Sequence, residues 1–81
     1  MSKDVESKKF AKLVGEHLKK TRLLKKLSTT RLAYNSDVQS SLISKIERGI
    51  SEPHITTLIK ILNGLDTTVD DFFKALDYSH L

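Results

Sequence analysis

The run "SDVQSSLISKIERG", residues 36–49, decides the fold. Its front is short, polar and rich in serine, and its back carries an apolar ladder followed by Glu47, Arg48 and Gly49. Leu42, Ile43 and Ile46 share one side of a helix, because residues three and four apart stack on the same face. The spacing predicts a helix over 39–48, with Gly49 as its C-terminal stop. "SDV" interrupts the chain just before it, and Asp37 enters left-handed backbone more readily than most non-glycine residues.

Upstream, Ser28 reads as an N-cap whose hydroxyl accepts from the free amides of the next turn. "TTRLAYN" then forms a short helix with Leu32 and Ala33 inward. Before it, Phe10, Val14 and Leu18 recur at four-residue intervals with Leu13 beside them, and lysines fill the other face. That is an amphipathic helix from about residue 5 to about 26, its end unmarked by glycine. Downstream, "ISEP" is a loop, since the residue before proline is biased away from helix. A fourth helix covers about 55–63, with Leu58, Ile61 and Leu62 inward and Gly64 ending it. "DTTVDDFF" restarts helix under a Thr67 or Thr68 cap, with Asp70 and Asp71 near its positive end. This fifth helix runs to about Leu76, and "DYSHL" is expected to fray. No strand-length alternation, repeat or low-complexity segment competes with this reading. The expectation is an all-α, five-helix domain spanning 1–81, with its core at about 8–77.

Composition narrows the chemistry. A chain of 81 residues suits one domain. It has no cysteine, which excludes a disulfide framework, a thiolate nucleophile and a thiolate metal site. No apolar run approaches the roughly 18 residues of a membrane span, and the start lacks a secretory pattern. A soluble, cytoplasmic protein is expected. Residues 1–48 hold 12 Lys/Arg against 5 Asp/Glu, whereas residues 49–81 hold 2 against 5. Such polarity suits one face for a polyanion and a less basic face for something else. His17, His54 and His80 lack ligand spacing, so no metal is expected. No base-and-nucleophile pairing or glycine-rich phosphate loop stands out, so neither an enzyme nor a cofactor is expected.

Two short helices joined by a tight turn, the second polar at its front, make a helix-turn-helix pattern. Such a second helix must show hydrogen-bonding side chains to base edges and an apolar back to the first helix. Gln39, Ser40, Ser41, Ser44 and Lys45 meet the first demand; Val38, Ile43 and Ile46 meet the second. Gln39 also fits a helix cap or a phosphate contact, and Lys45 suits guanine or phosphate equally.

Arg22, "LSTTRLA" (27–33), "LISKIERG" (42–49), Pro53 and "TLIKIL" (57–62) occur in an order that resembles the Xre-type helix-turn-helix family. That family includes the lambdoid phage repressors and Cro, and the resemblance covers about residues 10–73. It implies an all-α DNA-binding domain acting in transcription control, usually as a homodimer on a partly palindromic operator of double-stranded DNA. Matched residue by residue, it assigns Gln39, Ser40, Ser41, Ser44 and Lys45 to bases. It assigns Ser28, Thr29, Arg48 and Ser51 to phosphates. Arg22 and Glu47 match a partly buried structural ion pair. Leu65, Val69, Phe72, Phe73 and Leu76 supply the expected dimer surface, with Tyr78 and Leu81 beyond them, while some of the helically spaced Val69, Phe72, Phe73 and Leu76 must also complete the core. Asp37 stands where the family's turn usually has glycine, Lys26 where glycine often closes the first helix, and His54 where a small hydroxyl residue usually follows Pro53. A phage, restriction–modification or host regulator would each fit. An alternative of another class is an antitoxin-type regulator that also neutralises a protein toxin through either terminus; a scaffold that kept the fold is a third.

Overall fold

A computed structural model describes the backbone of residues 3–76 and the side chains of 8–76. Its helices are α1 (Lys3–Leu24), α2 (Thr29–Ser36), α3 (Ser40–Glu47), α4 (Ile55–Gly64) and α5 (Val69–Ala75). The "DYSHL" tail, and with it Tyr78 and Leu81, lies outside the described residues.

Local chemistry explains where two of these helices begin. Ser28 and Thr68 sit in extended backbone and accept, through their hydroxyls, from the amides of Arg31 and Asp71 at 3.0 Å each. Each bond satisfies a first-turn donor and contributes about 1 kcal/mol. Gln39 and His54 occupy the same position before α3 and α4 with no side-chain cap bond. Endings follow a different rule. Three of the helices stop at non-glycine residues in left-handed backbone: Lys26 (φ 58°), Asp37 (φ 56°) and Asp66 (φ 56°). Gly49, at φ 73°, does the same after α3, where a side chain would be strained.

The apolar faces meet in one core. Leu18, Leu32, Ile43, Ile46, Ile61, Leu62 and Leu65 are its fully buried side chains. α1 packs on α3, α2 packs on both α3 and α4, and α5 closes against α4. Two glycines permit the closest approaches. A Cβ on Gly15 would stand 2.1 Å from the Ile46 carbonyl oxygen, so α1 and α3 touch backbone to backbone. A Cβ on Gly64 would stand 2.1 Å from Ser36 Oγ, at the meeting of α4 with the end of α2.

The fourth helix ends at Gly64, as its position suggested, but Gly64 does not make the reversal. It is the last residue of α4, Leu65 caps the helix, and Asp66 makes the reversal. Its smallness serves the contact with Ser36 instead. Phe10, expected inward with Val14 and Leu18, is 38% exposed on the rim of an apolar hollow with Pro53, Leu58 and Phe73. The third helix is shorter by one residue at each end than its pattern suggested, Gln39 and Arg48 being its caps.

Candidate nucleic-acid interface

α3 has two sides with different work. Ile43 and Ile46 are buried at 0% and 1% exposure, and Leu42 packs half-buried beside them. At about 100° per residue, Ser40, Ser41, Ser44 and Lys45 occupy an arc of roughly 140° on the opposite side. Ser41 and Lys45 are exposed and Ser40 and Ser44 half-buried, while Gln39, exposed, stands at the N-terminal end of that arc.

The C-terminal end of α3, beside this arc, is anchored by an ion pair. Arg22, near the end of α1, reaches Glu47, the last residue of α3. Its Nε donates to Glu47 Oε2 at 2.7 Å and its Nη2 to Oε1 at 3.0 Å, while Nη1 donates to the Leu27 carbonyl at 2.7 Å. The side chains are 9% and 6% exposed, so this is a nearly closed bidentate pair. The hydrogen bond to Glu47 raises the Arg22 pKa above its ordinary value, with burial pulling the other way and the Glu47 charge adding to the rise. Arg22 thus ties three places together: α1, the end of α3, and the link leading into α2. The third of these, through Leu27, had no signature in the sequence.

The residues matched to phosphate contacts lie at the start of α2 and in the segment that follows α3. Ser28 is exposed at the start of α2 and Thr29 half-buried beside it. Ser28 Oγ accepts from Arg31, which leaves its own proton free to donate outward. After α3, Arg48 is exposed, its Nε donating to the Ser44 carbonyl at 3.4 Å. Ser51 is half-buried and its amide donates to the Lys45 carbonyl at 3.3 Å. Lys8 and Lys12 of α1 join Arg48 around a shallow hollow that Glu52 also borders. Those two lysines lie far from Arg48 in sequence, and only the packing of α1 under the 48–52 loop brings them there.

The expected dimer surface divides, and three of its five residues need correction. Leu65, Phe72 and Leu76 are 0%, 2% and 7% exposed and belong to the core of this chain. A short final helix can be held only by giving its larger side chains to the core. Phe72 packs its ring on His17 at 4.5 Å and on Phe73 at 5.2 Å. His17 Nε2–H donates to the Phe72 carbonyl at 3.1 Å, and the tautomer follows because a carbonyl can only accept. Val69, 39% exposed, and the half-buried Phe73 remain accessible, and Ile55 and Ile59 of α4 are 63% and 40% exposed.

Residues 18–72, which contain all of α2, α3 and α4, match the helix-turn-helix family model HTH_3. The chain belongs to the HTH_3 helix-turn-helix family. HTH_3 proteins are transcriptional regulators and not a class of enzyme. An uncharacterized HTH-type transcriptional regulator of Rickettsia prowazekii is 32% identical over 69 residues, which are 85% of this chain and 53% of the relative. A counterpart in Rickettsia conorii is also 32% identical, over 55% of its own length. The chain thus spans about half the length of these curated relatives. Among solved structures, the restriction-modification controller protein C.Esp1396I is 35% identical with a TM-score of 0.78, covering 82% of this chain and 84% of that one. One of its structures holds a tetramer on its natural 35-base-pair operator. The controller protein C.AhdI of Aeromonas hydrophila is 27% identical with a TM-score of 0.75, over 78% of this chain and 96% of that one. Among the described residues no helix is long and apolar enough to cross a membrane.

Proposed function

We propose that this chain is a transcriptional regulator that binds double-stranded DNA by sequence, as a homodimer on a partly palindromic operator, in the cytoplasm. The observation that carries this reading is the polar arc of α3, uncovered on its outer side, on a helix packed on the core by Ile43 and Ile46 and anchored at its end by Arg22 and Glu47. A helix that is to enter the major groove needs small or flexible hydrogen-bonding groups on a rigid support. Gln39, Ser40, Ser41, Ser44 and Lys45 are the base-facing set in this reading. Ser28 and Thr29 take one phosphate strand, where the free amides and the dipole of α2 favour an anion. Arg48 and Ser51 take the other. Val69 and Phe73, with Ile55 and Ile59 beside them on α4, are the surface for a second copy. The likeness to two controller proteins supports control of a restriction–modification system as the setting.

Selection of bound duplexes from a random DNA pool tests this directly. The expected result is a partly palindromic sequence with half-sites about one helical turn, roughly 34 Å, apart. Affinity should fall with salt at a log–log slope near −5, about −0.9 for each of some six phosphate contacts. A pool that yields no preferred sequence, or binding indifferent to salt, overturns the proposal.

A further inference from the structure

The geometry points to a pocket for the 5-methyl group of a pyrimidine on the α4-facing edge of α3, with Val38 and Leu42 as its floor. This rests on the DNA-binding reading above and adds a specificity determinant to it. A surface hollow there is lined by Val38, Gln39, Ser41, Leu42, Lys45 and, from the first turn of α4, Thr57. Val38 and Leu42 are half-buried and packed on the core, so each turns part of an aliphatic side chain outward. Gln39, Ser41 and Lys45 are exposed around them. Ser41 and Lys45 also belong to the polar arc of α3, so a base edge meeting those two side chains lies over Leu42.

The chemistry of that composite surface is selective. Thymine shows the major groove an O4 acceptor beside a C5-methyl group, and no other standard base pairs an acceptor with a methyl there. The Lys45 ammonium, the Ser41 hydroxyl and the Gln39 amide are donors for O4, and the Val38–Leu42 floor removes the methyl from water. 5-Methylcytosine carries the same methyl but puts a donor amine where O4 would be; the Ser41 hydroxyl and the Gln39 amide oxygen can accept from it, and only the Lys45 ammonium cannot, so Lys45 is the group that favours thymine. The pocket therefore takes a 5-methylpyrimidine and favours thymine.

Replacing thymidine by deoxyuridine removes the methyl and nothing else. In duplexes chosen from the random pool, each thymine is replaced in turn and the affinity of the full chain measured. One thymine per half-site should weaken binding by about fourfold when replaced, the value of one buried methyl, and both together by about fifteenfold. Cytosine at that position should bind worse than 5-methylcytosine by a similar factor, and both worse than thymine. Leu42→Asn, and Val38→Ser should the first fold poorly, replace the aliphatic floor by polar groups and should bind the thymine and uracil duplexes nearly alike. Uracil tolerated at every position, or the same uracil penalty in the variants as in the unaltered chain, overturns the pocket. A pool that yields no bound duplex fails the DNA-binding reading itself, so the two failures are distinguishable.

Discussion

Arg22 on α1 and Glu47 at the end of α3 stand 25 residues apart and meet in two parallel hydrogen bonds of 2.7 and 3.0 Å in a nearly closed site. Replacing a buried pair by apolar groups is often harmless, but removing one partner strands the other charge at a cost of about 3–5 kcal/mol. In a domain of this size about 1 kcal/mol moves Tm by at least about 4 °C, so Glu47→Ala should lower it by about 12 °C or more. Ser40→Ala should leave Tm almost unchanged and weaken operator binding several-fold. Circular-dichroism melts and fluorescence-anisotropy titrations check both; if the two variants melt like the unaltered chain, the pair is not the support of α3.

Gly64 and Ser36 make a second coupled pair. Alanine is ordinarily better than glycine in a helix by about 1 kcal/mol. Gly64→Ala should nonetheless destabilise, since its Cβ would meet Ser36 Oγ at 2.1 Å. The same Oγ is buried without a hydrogen-bond partner, so Ser36→Ala should be neutral or stabilising. In that background the Gly64→Ala penalty should shrink, leaving the approaches to the Ser36 Cβ at 3.1 Å and to its backbone nitrogen at 3.2 Å. Urea titrations of the four-member cycle measure the coupling; additive effects would mean that the two sites do not touch.

Asp37 carries two burdens, left-handed backbone and a negative charge at the negative end of α2. Asp37→Gly should stabilise the fold by about 1 kcal/mol, left-handed backbone costing other residues about 1–2 kcal/mol. Asp37→Asn keeps a residue tolerant of that backbone and removes only the charge. If proximity to phosphate matters, both variants should bind DNA more tightly at low salt and converge with the unaltered chain at high salt. Tighter binding by glycine alone would assign the effect to backbone strain.

The division of the expected dimer surface predicts two different phenotypes. Val69→Lys changes an exposed residue, so the chain should remain folded and sediment as a monomer where the unaltered chain sediments as a dimer. Leu65→Ala hollows the core and should cost about 2–5 kcal/mol. Analytical ultracentrifugation beside thermal melts separates the two. A strict monomer for the unaltered chain at tens of micromolar would remove the dimer from the proposed function.

Much of this was legible in the chain, and the exceptions share a cause. Ser28, Asp37 and Gly49 act through neighbours a few residues away, so short-range chemistry was enough to place them, and it narrowed the last cap to Thr67 or Thr68. The close contact of Gly64 with Ser36 was not readable, because a helix-ending glycine and a close-contact glycine look alike until the neighbouring helix is known. Leu65, Phe72 and Leu76 looked like surplus apolar surface because nothing in a linear chain says that α5 lies flat on the core, with His17 holding its Phe72 carbonyl. Lys8, Lys12 and Thr57 approach α3 and its following loop from distant segments, and no local pattern announces them. Arg22 and Glu47 were readable only through the family resemblance, since an Arg and a Glu 25 residues apart carry no periodic signal.

The contact at Gly15 has a consequence for the duplex. With the Ile46 carbonyl pressed on the α1 backbone and no side chain between them to change rotamer, α3 has little freedom to tilt or slide. A probe that cannot adapt leaves the adapting to its target. DNA bends and twists most cheaply at pyrimidine–purine steps, so favoured operators should be distinguished partly by supple steps at positions no side chain reaches. The missing Cβ of one glycine would then be felt as sequence preference in base pairs the protein never touches.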